Sequence, residues 1–190
     1  MSTFDEIKRI FFSGNQAFEG NYESINEIAF LVDENYLTMG KFPISTKREY
    51  LEIFEEHSLL NNETRYDAAG GGDNHMALKL LAQKYLKDER GLEAFYEQAF
   101  CGYYPDVISA DKQIIVECGI TANSEKILTY FQQGNIQELI QIPYPDVDDK
   151  EVVMGYSFVP NKELNNFLAF LQAEKYNKIK EILKNKRKSE

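Results

Sequence analysis

The sequence has no tryptophan, and its 190 residues include only two cysteines and two histidines. Cys101 and Cys118 do not form a Cys-x-x-Cys pair, which argues against a disulfide scaffold and against a cysteine-based zinc finger. No apolar run approaches the ~18 residues that a membrane helix needs. The first residues carry early acids and lack the basic-then-apolar layout of a signal peptide. We therefore expect a soluble, reduced, cytoplasmic protein without a membrane segment.

Positive charge is also scarce, because 21 lysines and arginines stand against 31 acids and give a net charge of -10. This balance excludes a uniformly basic coat for nucleic acid, although a local basic patch remains compatible with it. Residues 175–188 form such a patch, with seven bases against one glutamate. The patch is either a phosphate contact or a solvated helix end whose lysines complement the helix dipole. The candidate nucleic-acid contacts at its end are Lys184, Lys186, Arg187 and Lys188.

The residues that are plentiful predict one folded core, because 43% of the chain is apolar and 13% is aromatic. Apolar residues recur at helical spacing through the first third, and a segment at 40–43 that contains glycine and proline reads as a turn between helices. We divide the chain into a helical N-terminal region, 1–69, and an α/β core with a basic C-terminal helix, 70–190.

The core region changes character after the three glycines at 70–72. The pattern predicts a helix to about residue 88, two extended segments, an apolar strand, a second helix and a further strand. A last strand and a long C-terminal helix follow. The order α-β-β-β-α-β indicates an α/β fold around a mixed sheet. The predicted segments after the first helix are 94–100, 103–108, 114–118, 123–134, 136–142, 152–159 and 162–184.

Two acids within this region carry the chemistry. Asp106 follows Pro105 at the start of one strand, and Glu117 interrupts the apolar run of the next strand. A carboxylate in such a strand needs a cation or a proton, because burying it bare is costly. Two carboxylates converging from neighbouring strands form a site for Mg²⁺ or Mn²⁺, which can polarise a phosphoryl oxygen. Taken singly, Asp106 also fits a Pro-Asp turn and Glu117 also fits a strand-end acid paired with lysine.

The segment from His75 to Pro145 resembles the PD-(D/E)xK nuclease superfamily, which has the restriction-endonuclease-like fold. The resemblance covers about 70 residues and depends on Pro-Asp on one strand and an acid on the next. It is similar in particular to a branch with a His-x-x-x-Lys helix. The matching positions are His75, Lys79, Glu97, Pro105-Asp106-Val107, Val116-Glu117-Cys118-Gly119 and Glu125-Lys126.

One position departs from the family pattern. Gly119 occupies the place of the motif lysine, two residues after Glu117. Some members move that lysine to the following helix, and Lys126 lies in the predicted first turn of that helix, with a stem long enough to reach the strand ends. Otherwise Lys126 is an ordinary exposed lysine, and the site holds metal without cutting.

The resemblance implies roles for the other residues. Asp106, Glu117 and the carbonyl of Cys118 would hold Mg²⁺ or Mn²⁺, and Lys126 would position the attacking water. His75 and Lys79 share a helix face because they are four residues apart, and they would orient water and hold a phosphate. Glu97 would be a third metal acid or a partner for Lys126. Each of these three also fits an ordinary surface side chain.

The resemblance predicts a metal-dependent nuclease that hydrolyses phosphodiester bonds, in DNA rather than RNA. Two alternatives remain open. The first alternative is a catalytically inactive member of the same fold, which binds nucleic acid or a protein partner. The second is a small α/β protein whose acids are structural. The N-terminal helices are candidates for contact with a second copy or another protein.

Overall fold

The computed structural model describes residues 1–12, 22–64, 72–121, 123–145 and 151–187, with side chains throughout except at 59–64 and 182–187. Six helices and six strands lie within these ranges, and none of the helices is long and apolar enough to cross a membrane. In chain order they are α1 Thr3–Phe12, α2 Tyr22–Asp33, β1 Leu37–Thr46, α3 Lys47–Thr64, α4 Gly72–Asp88, β2 Ala94–Tyr96, β3 Val107–Ser109, β4 Ile114–Cys118, α5 Ser124–Gln132, β5 Glu138–Ile142, β6 Val152–Pro160 and α6 Leu164–Arg187.

The six strands form one mixed sheet in the order β1-β6-β5-β4-β3-β2. Only β4 and β5 are parallel, and α5 supplies the crossover that a parallel pair requires. The other neighbours run antiparallel. The predicted α/β class and the predicted order of elements from α4 to α6 are confirmed. Strand β4 lies inside the sheet and is buried along its whole length, as its apolar run indicated.

Helices cover both faces of the sheet, and the sheet separates the core into two clusters. On one face, α1, α2, α5 and the start of α6 pack against Ile115 of β4 and Leu139 of β5. On the other face, α3 and α4 pack against Val116 and Ile140, the next residues along the same two strands. Because successive side chains of a strand point to opposite faces, one short strand contributes to both clusters.

The first third of the chain is not entirely helical, which corrects the prediction for this region. The segment read as a turn at 40–43 lies inside β1, which pairs with β6 from Leu37 opposite Pro160 to Thr46 opposite Val152. A proline is tolerated here because β1 is an edge strand and its register shifts between Pro43 and Ser45.

The two strands before β4 are shorter than predicted. The intervening residues form a loop closed by a bridge between Phe100 and Tyr103, with positive φ at Cys101 (51°) and Gly102 (81°). This pair of left-handed residues turns the chain back on itself and leads it to Asp106.

The end of α5 packs closely on this loop at Gly134. A Cβ at this position would contact the ring of Phe100 and lie 2.6 Å from the carbonyl oxygen of Tyr130. We expect Gly134→Ala to lower the free energy of unfolding by about 1–3 kcal/mol, the usual cost of overpacking. Urea denaturation measures the loss. Gln137→Ala, at an exposed position nearby, is the control and should stay within about 0.5 kcal/mol of the unsubstituted protein. Equal stability of the two variants would contradict the packing described.

Candidate functional site

The two predicted acids lie together at the edge of the sheet where β4 ends and β3 begins. The antiparallel register pairs Val107 with Val116, which places Asp106 opposite Glu117 one residue further along. The backbone N–H of Cys118 donates a hydrogen bond of 2.7 Å to Oδ2 of Asp106. The carboxyl end of β4 and the start of β3 therefore place both carboxylates at the same end of the sheet.

Asp106 is bound by side chains of α4. Nε2 of His75 lies 2.9 Å from Oδ1 of Asp106, and Nζ of Lys79 lies 3.5 Å from the same oxygen. Burial acts to raise the pKa of Asp106, but the hydrogen bond and charge of His75, the Cys118 N–H and the charge of Lys79 outweigh it and lower the pKa. Asp106 is therefore a carboxylate at neutral pH, and His75 donates its Nε2 proton to it.

Lys79 and Glu97 form a second ion pair at this edge. The Lys79 side chain is only 4% exposed and its amine contacts the carboxylate of Glu97, which is 53% exposed. Burial alone lowers the pKa of Lys79, but the bond to Glu97 and the charge of Asp106 raise it overall. The amine of Lys79 thus points at carboxylates rather than at solvent, and Glu97 pairs with Lys79 instead of Lys126.

Glu117 lies on the other side of the sheet, under α5. Its Oε2 accepts a hydrogen bond of 2.8 Å from Nζ of Lys126, and its Oε1 accepts one of 3.2 Å from the hydroxyl of Tyr130. Burial raises the pKa of Glu117 to about 7; Lys126 opposes this effect, and the neighbouring charge of Asp106 adds to it. Burial is therefore the main reason that the folded protein holds a proton on Glu117 more tightly than an exposed glutamate would.

The start of α5 explains why a lysine nine residues after Glu117 reaches it. Gly119 has a φ of +71° and turns the chain out of β4, while its N–H donates to the carbonyl of Ile142. Asn123 then caps the helix by accepting a hydrogen bond of 3.2 Å from the backbone N–H of Lys126. Lys126 lies in the first turn, as predicted, and its stem runs back over the strand end.

Three residues of the site are absent from the sequence prediction. Tyr130 was missed although it lies one helical turn after Lys126. Tyr144 follows β5, and its hydroxyl lies 3.3 Å from Nδ1 of His75. Gln141 is the register partner of Glu117 and is fully buried. A polar residue inside an apolar strand was the signal for Gln141, the same signal that identified Glu117.

Gln141 has one satisfied and one unsatisfied polar atom. Its Nε2 donates a hydrogen bond of 2.8 Å to the carbonyl of Gly119, which ties β5 to the turn before α5. Its Oε1 is buried without a hydrogen-bond partner in the part of the chain that is described. A buried amide oxygen is costly to leave unpaired, so this atom marks a place where a donor or a cation would be bound.

The remaining predicted residues contribute less to the described site. The side chain of Cys118 belongs to the opposite core cluster, and burial raises the pKa of its thiol, so only its backbone lies at the site. Lys184, Lys186 and Arg187 lie in the last turns of α6, and their side chains, like all of Lys188, lie outside the described residues.

The donor set suits one kind of metal. Within the described ranges no three His, Cys, Asp or Glu side chains are arranged to hold an ion, so a protein cage such as a structural zinc site is not formed there. Two carboxylates and backbone or amide oxygens, completed by water, are the ligands that Mg²⁺ and Mn²⁺ accept. Asp106, Glu117, the Cys118 carbonyl and Oε1 of Gln141 fit this description.

These features define the protein as an α/β fold with a carboxylate pair, each member bound to a lysine, at the carboxyl end of its central strand. No known protein family, curated protein or solved structure matches the chain.

The raised pKa of Glu117 predicts a pH dependence of stability. Between its ordinary value of 4.5 and about 7, the folded protein binds a proton that the unfolded chain has released, so stability falls as pH rises through this window. The full difference corresponds to about 3 kcal/mol. The Glu117→Gln variant lacks this contribution. The difference between its free energy of unfolding and that of the unsubstituted protein should therefore shift in favour of the variant as the pH rises from 4.5 to 7. Urea denaturation across this range is the measurement; parallel pH profiles for the two proteins would show that Glu117 does not titrate there.

The position of Gly119 predicts that no side chain, including the motif lysine, is tolerated there. A Cβ at Gly119 would lie 2.5 Å from Cζ of Tyr144, in addition to the strain of a positive φ. Gly91 is a matched control, since it has a φ of +65° but open space where a Cβ would lie. We expect Gly119→Ala to lower the free energy of unfolding by about 1–3 kcal/mol more than Gly91→Ala. Equal losses would mean that Tyr144 moves aside and leaves His75.

Proposed function

We propose that this protein is a metal-dependent nuclease of the restriction-endonuclease-like fold and hydrolyses phosphodiester bonds. The observation that carries the proposal is the geometry of three residues. Asp106 and Glu117 lie opposite one another at a sheet edge, and Nζ of Lys126 lies 2.8 Å from Glu117. This is the acid, acid and lysine set of the PD-(D/E)xK pattern, with the lysine supplied by the following helix. The α4-to-β5 order of elements also supports it.

A divalent cation would be held by Asp106, Glu117 and the Cys118 carbonyl, with Oε1 of Gln141 close to the same strand ends. When bound, Mg²⁺ or Mn²⁺ supplies Lewis-acid polarisation of the phosphodiester. The Gln141 oxygen supports a cation here, because it is a buried polar atom without a hydrogen-bond partner among the described residues and such an atom is costly to leave unpaired.

The chain's own cations orient the substrate and the attacking water. Lys126 has a side chain that is 20% exposed, so its amine can meet a phosphate oxygen or a water molecule at the site surface while remaining beside Glu117. His75 is held at both nitrogens, by Asp106 and by the hydroxyl of Tyr144, which fixes its ring beside Asp106. Attraction to a polyanion would come from the basic end of α6, since the chain as a whole carries a net charge of -10.

One observation favours the second candidate, a catalytically inactive protein of this fold that binds nucleic acid or a protein partner. Lys79 lies 3.5 Å from Asp106 and Lys126 lies 2.8 Å from Glu117, so each carboxylate already has a cation from the protein. A site balanced in this way persists without metal, and its charges then serve the fold alone.

Mn²⁺ titration calorimetry and a cleavage assay separate these candidates. Asp106→Asn and Glu117→Gln should each weaken Mn²⁺ binding by about tenfold or more, because each loses a charged oxygen ligand. Both should also abolish cleavage of plasmid, single-stranded DNA and RNA. Lys126→Ala should keep Mn²⁺ binding and lose about 10²-fold in rate, as removal of one preorganised charge does.

Glu138→Gln is the matched control for this experiment. Glu138 is a buried, ion-paired acid on β5, but it lies at the other end of the sheet, 2.6 Å from Arg90. The Glu138→Gln variant should bind Mn²⁺ and cleave nucleic acid as the unsubstituted protein does. Mn²⁺ binding without cleavage of any of the three substrates would favour the inactive candidate. Absence of Mn²⁺ binding would show that the acids are structural and that neither metal nor cleavage belongs to this site.

A further inference from the structure

The C-terminal helix extends well beyond the body of the protein. Leu164 and Leu168 at its start are buried in the core, whereas every residue from Ala169 to Glu181 is exposed. At a rise of ~1.5 Å per residue this exposed part is about 20 Å long. A helix of this length is marginal by itself in water, so a partner for it is expected.

The exposed part of α6 carries an apolar stripe. Leu171 is 36% exposed, Ile179 is 56% exposed and Tyr176 is 63% exposed. Together with Leu168 these residues recur at spacings of three, five and three, so they extend the face by which α6 packs on the core. Large apolar side chains on one helix face indicate an interaction surface.

A groove of about 840 Å³ begins beside this stripe, between α2, α5 and α6. Its apolar lining includes Phe30, Leu128, Phe167 and Leu171, and three acids, Glu23, Glu27 and Glu125, also line it. The groove thus combines an apolar surface with negative charge.

We propose that this groove binds the exposed part of α6 from a second copy of the chain, and that the protein is a symmetric dimer. Charge complementarity selects this occupant. The exposed part, 169–181, holds three lysines in a chain whose net charge is -10, and its apolar residues Tyr176 and Ile179 lie among Lys175, Lys178 and Lys180. A basic helix with an apolar stripe matches an acidic groove with an apolar lining.

The position of the groove makes the exchange reciprocal. Leu168, Leu171 and Lys175 of α6 line the groove themselves, so two α6 helices laid antiparallel about a twofold axis would each enter the other's groove. Such an interface closes on itself and produces a dimer rather than a filament. Within one chain, Nζ of Lys175 already lies 4.0 Å from Glu27, which shows that lysines of α6 reach these acids.

Sedimentation equilibrium of the full chain over a range of concentrations tests the proposal. We expect a species of twice the 22.0 kDa chain mass that dissociates on dilution and is weakened by salt. Glu substitutions at Tyr176 and Ile179 together should weaken the dimer by about 100-fold, because the stripe would lose its apolar contacts. Both positions are exposed, so circular dichroism should show that the sheet and the helices packed on it are retained, with a loss of helical signal no larger than fraying of the exposed part of α6.

Two controls locate the interface. Phe170 is about as exposed as Ile179, at 58%, but it precedes Ile179 by nine residues and so lies on the opposite face of the helix. Phe170→Glu should therefore leave the dimer intact.

Glu23→Lys in the groove should weaken the dimer by about tenfold, whereas Glu55→Lys on α3 should leave the dimer unchanged. A monomer at every concentration would overturn the proposal. So would a dimer insensitive to the changes at 23, 176 and 179, or assembly that occurs only on adding DNA.

Discussion

The burial of a carboxylate in the central strand is the constraint on which the local structure depends. Glu117 is 2% exposed between apolar neighbours, and the charge of Asp106 acts on it from the adjacent strand. Transfer of such a group from water is expensive unless positive charge and hydrogen-bond donors accompany it. The capped first turn of α5, the stem of Lys126 and the hydroxyl of Tyr130 all supply what this one side chain requires.

The same requirement explains why the site draws on both faces of the sheet. Asp106 is bound by His75 and Lys79 from α4, which packs on one face, while Glu117 is bound by Lys126 from α5 on the other. The carboxylates lie at the strand ends, where side chains from both layers can meet. Each layer of helices therefore contributes one lysine. In the described part of the chain the two ion pairs lie on opposite sides of the same strand ends.

The sequence predicted the elements whose signals are local. Strand β4 has an apolar run, interrupted only by Glu117, that ends at a glycine, and α5 has an asparagine cap, so their bounds and the placement of Lys126 could be inferred. Strand β1 could not be inferred from the sequence, because its Gly-Lys-Phe-Pro segment has the composition of a turn. The segment becomes a strand only by pairing with β6. Tyr144 was missed for a related reason: its role depends on contact with His75, 69 residues away in the chain. The catalytic roles of Asp106, Glu117 and Lys126 stay predictions.

The long separation between the contributing residues also has a consequence for how the chain is made. His75 is held from one side by Asp106 and from the other by Tyr144, and the turn at Gly119 is tied to Gln141 of β5. A nascent chain that has passed Lys126 but has not reached β5 contains Asp106, Glu117 and their lysines, but it lacks the strand that completes this end of the sheet. During synthesis, then, the arrangement of charges comes into being in one late step, after most of the chain has left the ribosome.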